Sequence, residues 1–192
     1  MSDRLSASQP TQSKHNMVWI DLEMTGLDPG RDVIIEAAVL ITDPELNIIA
    51  DGPDFAIQRT KEELSVMNAW NRRTHHGSGL IKRVNASEVS IEQAQAEIVE
   101  FVQQWTEKDN APLCGNSVHQ DKRFLYLEMP QLVDWLSYRI VDVSTVKELA
   151  KRWYPDLEKF VKQEQHRAME DIRESIDELR WYRDRIFRPT GL

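Results

Sequence analysis

Two acids two residues apart, Asp21 and Glu23, close the apolar run Met17-Val18-Trp19-Ile20-Asp21-Leu22-Glu23. Residues two apart on a strand point the same way, so both carboxylates would project together. Like charges held this close repel, and more strongly away from water. A cation between them removes the conflict, and oxygen-only ligation suits Mg²⁺ or Mn²⁺ rather than zinc or copper. Asp121 and Asp171 are two further acids that folding could bring to the same place. Four carboxylates can hold two divalent cations roughly 3.5–4 Å apart, the geometry of two-metal phosphodiester cleavage. His166, just ahead of Asp171, is the candidate general base. Histidine's ordinary pKa of about 6.5 suits taking a proton from water at neutral pH.

The same residues have plainer uses. Asp21 and Glu23 would also suit a solvent-facing strand. His166 could cap a helix or pair with Glu170, and Asp171 could pair with Arg167, since surface helix pairs are common and weak. His75 and His76 suggest a metal pair only superficially, because adjacent side chains diverge on most backbones.

The elements that must position these groups follow from periodicity. Alternation over Met17 to Glu23 predicts a strand with Val18, Ile20 and Leu22 on one face and Trp19, Asp21 and Glu23 on the other. Thr25 to Gly30 is a turn-rich loop. Val33 to Thr42 is a strand buried on both faces, and Ile48 to Ile57 follows it through a hairpin loop at Asp43 to Asn47. Ser90 and Gln93 resemble a capping box ahead of an apolar helical stripe of Ile91, Ala94, Ile98, Phe101, Val102 and Trp105. A short strand over Pro112 to Asn116 leads to a helix over His119 to Leu127 that stops near Pro130. Another short strand, Arg139 to Val143, leads to a helix capped by Ser144. Ala168, Ile172, Ser175, Ile176, Leu179, Tyr182 and Ile186 mark a long amphipathic C-terminal helix. The order predicts an α/β fold: a mixed five-stranded sheet flanked by helices, antiparallel at first and then joined by parallel crossovers.

The 192 residues suffice for one domain, expected over residues 17–192, with residues 1–16 a disordered polar tail. That tail lacks the apolar stretch of a signal peptide, and no run is long enough to span a membrane. The single cysteine, Cys114, cannot form an internal disulfide and reads as a core residue, so a cytoplasmic address is expected. Asp and Glu number 32 against 24 Lys and Arg, a net charge of −8. That balance argues against tight binding of long nucleic acid, which rewards a basic surface. It leaves room for a small anionic ligand.

Three segments resemble the exonuclease motifs of the DEDD superfamily. They are Asp21-Leu22-Glu23-Met24-Thr25-Gly26-Leu27-Asp28, Cys114-Gly115-Asn116-Ser117 with Gln120-Asp121-Lys122-Arg123-Phe124-Leu125, and His166-Arg167-Ala168-Met169-Glu170-Asp171. The tyrosine branch would place Tyr at position 167, where this chain has Arg, so the histidine branch is favoured. Trp70-Asn71-Arg72-Arg73-Thr74-His75 and Tyr138-Arg139-Ile140-Val141-Asp142-Val143-Ser144-Thr145 extend the likeness, within that branch, to the oligoribonuclease family, from about Met17 to Phe187.

The resemblance implies a ribonuclease-H-like exonuclease fold and 3′-to-5′ cleavage of very short RNA to nucleoside 5′-monophosphates. It makes Asp21, Glu23, Asp121 and Asp171 the ligands of two divalent ions and His166 the base. Leu27 would wedge between bases and Trp70 stack on one. Ser117 and Gln120 would contact the 3′ nucleotide, and His75 and Ser144 would lie near phosphate. A homodimer is implied, in which Tyr138 and Arg139 reach the partner's site. Without the resemblance, Leu27 could be a turn residue and Trp70 a cover for an apolar patch. Val118-His119 departs from the family's pattern, which leads one to expect smaller or less basic residues there. A DNA exonuclease or proofreading module and a non-catalytic nucleotide-binding protein are the alternatives on the same fold.

Overall fold

In the computed structural model of the chain, which describes residues 11–161 and 167–187, the strand bearing the paired acids occupies the middle of the sheet. Strands β1 (Met17–Met24), β2 (Ile34–Thr42), β3 (Ile48–Ala56), β4 (Leu113–Gly115) and β5 (Ile140–Asp142) lie in the order β3-β2-β1-β4-β5. β1 pairs antiparallel with β2 and β2 with β3, while β4 runs parallel to both β1 and β5. The expected topology therefore holds, with each strand shifted by a residue or two at its ends.

Alternation along β1 sorts its side chains onto two cores. Val18, Ile20 and Leu22 pack with helices α4 (Ile91–Trp105), α5 (His119–Glu128) and α6 (Pro130–Trp135). Trp19 packs on the other face with α7 (Val143–Trp153) and α8 (Ala168–Ile186). Its indole N–H donates to Thr42 Oγ1 at 2.9 Å in the interior. Every residue of β2 is buried, as the unbroken apolar run predicts. Cys114 is buried too, and burial pushes its thiol pKa up.

Four local features differ from expectation. Residues 61–86 form three short helices, α1 (Lys61–Ser65), α2 (Ala69–Gly77) and α3 (Leu80–Ala86), where periodicity gave no element. Side-chain caps start the first two: Thr60 with Glu63 forms a full capping box at α1, and Asn68 caps α2, whereas α3 begins after Gly79 without a side-chain cap. The helix from His119 does stop near Pro130, at Glu128, but Pro130 also opens a helix that was not expected, α6, at the position where a missing N–H costs nothing. The cap of α7 is Asp142 rather than Ser144. Its carboxylate accepts from the Ser144 N–H at 3.0 Å. At α4, Ser90 accepts from the Gln93 N–H, but the Gln93 side chain turns to Glu97.

The tail expected over residues 1–16 is already seated from Gln12 onward, and residues 1–10 lie outside the described residues. Gln12 and Asn16 side chains and the Ser13 N–H donate to the carbonyls of Gln103 and Trp105. Those carbonyls belong to the last turn of α4, where a helix leaves acceptors open. Among the described residues, no helix is long and apolar enough to cross a membrane.

Thr42→Val keeps the side-chain volume but leaves the buried Trp19 N–H without its acceptor. We expect a loss of about 1–3 kcal/mol in urea unfolding, with unchanged far-UV circular dichroism; a variant as stable as the parent would contradict this.

Candidate active site

The alternation that buries Leu22 in the core turns Asp21 and Glu23 to the opposite face of β1. Asp171 reaches them from the first turn of α8, which packs across β1 and β2. Asp21, Glu23 and Asp171 each offer an oxygen, and those oxygens all lie within 4.8 Å of one another. All three acids are half-buried. Asp121 enters from the first turn of α5 and is only 7% exposed. Its Oδ1 accepts from the N–H of Leu22, the residue between the paired acids, at 3.0 Å.

Electrostatics record the crowding. Burial, then the charges of Asp121, Glu23, Asp171 and Glu36, hold the Asp21 carboxyl well above the usual carboxylate range. Burial, then Glu36, Asp171 and Asp121, pushes Glu23 up to about 8. Burial also raises Asp121, against the opposing hydrogen bond from Leu22. Acids that resist ionisation together, with several oxygens converging, make a donor set that fits a hard divalent cation. The expected base, His166, lies outside the described residues.

The remaining expected residues fall into three groups. Leu27, on the loop after β1, is 66% exposed, and Trp70, on α2, is 57% exposed. Both apolar side chains stand largely outside the core. The Leu27 loop is held from below by buried Asp32, which accepts from Thr25 Oγ1 and the Asp28 N–H and pairs with Arg31. Gly26 is required there, because a Cβ would stand 2.3 Å from Asp32 Oδ2. His75 is buried beside the acids, with Nε2 at 3.0 Å from Met24 O and Nδ1 at 3.9 Å from Glu23 Oε2.

Ser117 and Ser144 follow the ends of β4 and β5, and Gln120 stands one residue before Asp121 in α5. Ser117 has φ +54°, a left-handed conformation uncommon for a residue with a side chain. The Asp142 carboxylate holds it there by accepting its N–H at 2.9 Å. Ser117 Oγ lies 3.0 Å from Ser144 Oγ, which donates to Asn116. Asn116 in turn donates to Ser175 and Glu178 on α8, and Ser175 donates to the carbonyl of Asp171. One chain of hydrogen bonds thus joins the Ser117 hydroxyl to the backbone of an acid in the cluster. Gln120 Oε1 accepts from Arg123, whose guanidinium also reaches the Leu27 carbonyl. His119 is exposed and its Nδ1 sits 3.2 Å from Asp142 Oδ2.

Tyr138 and Arg139 are not drawn toward the acids. Both are exposed just before the edge strand β5, the guanidinium 4.6 Å from the tyrosine ring centre.

Several site-shaping residues escaped sequence reasoning: Asp32, Glu36, Arg123, Asp142 and Glu178. The signal for Glu36 was a lone charge inside Ile34-Ile35-Glu36-Ala37-Ala38, a run otherwise apolar. Glu178 is fully buried on α8, held by Lys147 at 3.1 Å and by Asn116.

Residues 18–179 match the RNase T family, described as exonucleases. The chain is 54% identical over 178 residues to the oligoribonuclease of Pseudomonas syringae pv. syringae strain B728a, covering 93% of this chain and 99% of that one. It is 51% identical to the oligoribonuclease of Escherichia coli O157:H7 over 177 residues, with 92% and 98% covered. Among solved structures it resembles the zinc-bound E. coli ExoI–ssDNA complex (TM-score 0.72, 14% identity) and Exonuclease I from Methylocaldum szegediense (TM-score 0.68, 16% identity). It covers 93% and 89% of itself in these two alignments and only about two fifths of either exonuclease chain, 42% and 41%. At that identity the likeness concerns the fold, the ribonuclease-H-like one. A match that runs nearly end to end at above half identity reaches further: the chain belongs to the oligoribonuclease family of exonucleases and is a 3′-to-5′ exoribonuclease.

Proposed function

We propose that this exoribonuclease acts on very short RNA, from dinucleotides to about pentanucleotides, and releases nucleoside 5′-monophosphates. The observation that carries the reading is the meeting of Asp21, Glu23 and Asp171 at one point with Asp121 hydrogen-bonded against the strand between them. These four acids would hold two Mg²⁺ or Mn²⁺ ions. When bound, such ions ease the ionisation of water and stabilise a leaving oxygen.

The chain's own groups supply the rest. His166 takes a proton as water oxygen attacks the terminal phosphorus in line. The bond from phosphorus to the 3′ oxygen breaks, and that oxygen leaves to be protonated. Leu27 wedges between bases and Trp70 stacks on one, a grip that ignores sequence because every base has a π-face. Ser117 and Gln120 meet the 3′ nucleotide, and His75 and Ser144 lie toward phosphate. The net charge of −8 supports short substrates over long ones.

A homodimer completes the reading. The β5 edge and α7 leave Tyr138, Ile140, Leu149 and Trp153 in solvent, apolar surface that suits a second copy. Tyr138 and Arg139 would then reach the partner's site and bind the 5′ phosphate, so that substrate length is measured between subunits. The lone buried thiol agrees with a cytoplasmic enzyme.

Four measurements test the reading. Asp121→Asn keeps an acceptor for the Leu22 N–H but removes a charge. Turnover should fall by on the order of 10²–10³-fold, the scale of losing one transition-state stabiliser, with the melting temperature retained; activity near the parent's would refute the metal assignment. A time course on 5′-labelled RNAs of two to ten nucleotides, with divalent cation and with chelator, should show the shortest consumed fastest and nothing consumed in chelator. Matched DNA dinucleotides should compete poorly. Equal use of RNA and DNA would favour the DNA exonuclease reading.

The fourth measurement is stability against pH. Asp21, Glu23 and Asp121 all have folded-state pKa values raised above their ordinary ones. The folded chain therefore binds more protons than the unfolded chain between the ordinary carboxylate range and about 8, the Glu23 value. Stability must fall as pH rises through that window. In chelator, the melting temperature should drop from acid to mildly alkaline pH, and added Mg²⁺ or Mn²⁺ should raise it most at the alkaline end. A flat profile would show that the acids do not crowd one another.

A further inference from the structure

Among the described residues, helix α8 has no side-chain cap of its own. Arg167 holds its N-cap position and makes no side-chain hydrogen bond to the helix. The first N–H groups of any helix need acceptors from elsewhere. One comes from the sheet: the Ala168 N–H meets Glu36 Oε2 across 3.5 Å, spanning 132 positions of sequence. Three residues on, the same turn of helix carries Asp171.

Glu36 is placed for this by register. It is the direct partner of Glu23 across the β1–β2 pair, so the two side chains lie on one face of the sheet. It is 1% exposed. A buried carboxylate needs partners to offset its lost hydration. Arg83 of α3 supplies one by pairing with Glu36 Oε1, and is itself held by Asp54 of β3 at 3.0 Å. One oxygen is thus fixed from α3 and the other faces α8.

We propose that Glu36 is a positioning residue: it anchors the N-terminus of α8 to β2 and thereby sets Asp171 against Asp21 and Glu23, with Arg83 and Asp54 fixing its own orientation. The inference rests on the reading that Asp171 shares a cation with the paired acids. Glu36 is buried, with its oxygens turned to Arg83 and the Ala168 N–H. Its effect runs through the backbone of the helix that delivers a ligand.

The test compares the full-length parent with Glu36→Ala and Glu36→Gln. Three quantities are read: the Mn²⁺ concentration at half-maximal thermal stabilisation, amide hydrogen exchange at Ala168–Asp171, and kcat and KM on an RNA dinucleotide. Glu36→Ala should need at least about tenfold more Mn²⁺, in line with losses at groups that orient metal ligands. It should also exchange those amides faster and lose kcat with KM little changed. Glu36→Gln still offers an oxygen to the Ala168 N–H and should keep the amides protected and stay nearer the parent. The proposal is overturned by a folded Glu36→Ala with the parent's Mn²⁺ midpoint and exchange, or by a Gln variant that loses both as fully as Ala. If the Ala variant does not fold, exchange in Glu36→Gln decides: protection supports the anchor and its loss overturns it. A parent that shows no response to Mn²⁺ would sink the metal reading instead, while the exchange comparison would still judge the anchor.

Discussion

Mutual repulsion among carboxylates is the constraint around which this molecule is arranged. Asp21 and Glu23 share a face of the central strand, and Asp121 and Asp171 arrive from two helices distant in sequence. Each acid raises the cost of ionising its neighbours. The strand stays in place because its remaining residues are locked into two cores, Val18, Ile20 and Leu22 on one face and Trp19 on the other. Protonation or a bound cation relieves such a cluster, and active sites are where local rules are expected to fail.

The neighbourhood of the cluster is built from charges that seldom touch solvent. Asp32 fixes the loop that presents Leu27. Asp142 holds Ser117 in a left-handed backbone while capping α7. Glu178 and Asn116 tie the end of β4 to α8. Each of these acids accepts from backbone or amide N–H groups, which makes its burial tolerable. The result ties the acids on one side to the serine hydroxyls on the other through directional bonds rather than loose packing.

What the sequence disclosed and what it hid divides along physical lines. Strands announced themselves by alternation or by unbroken apolar runs, because side-chain direction on a strand depends only on parity. The long C-terminal helix showed a clear stripe, although Glu178 lies inside it, since periodicity cannot see a lysine arriving from α7. Of the three helices between Lys61 and Ala86, the first two are short and largely polar, with only their caps at Thr60 and Asn68 as a signal, and the third is too short for its Leu80, Ile81 and Val84 to set a period. The paired acids were readable from two-residue spacing alone. Their meeting with Asp121 and Asp171 was not, because it depends on crossovers that bring residues about 100 and 150 positions apart to one strand end. Glu36 and Asp32 went unread for the same reason: their partners come from other elements.

The antiparallel hairpins of the first 56 residues could pair as soon as they are synthesised, since their contacts are local in sequence. Asp171 belongs to the last helix, which docks on those same strands. A growing polypeptide on the ribosome therefore displays the paired acids long before the fourth carboxylate exists to join them. Until α8 docks, the hairpins on their own present only the two acids of β1, and the third oxygen of the cluster is missing.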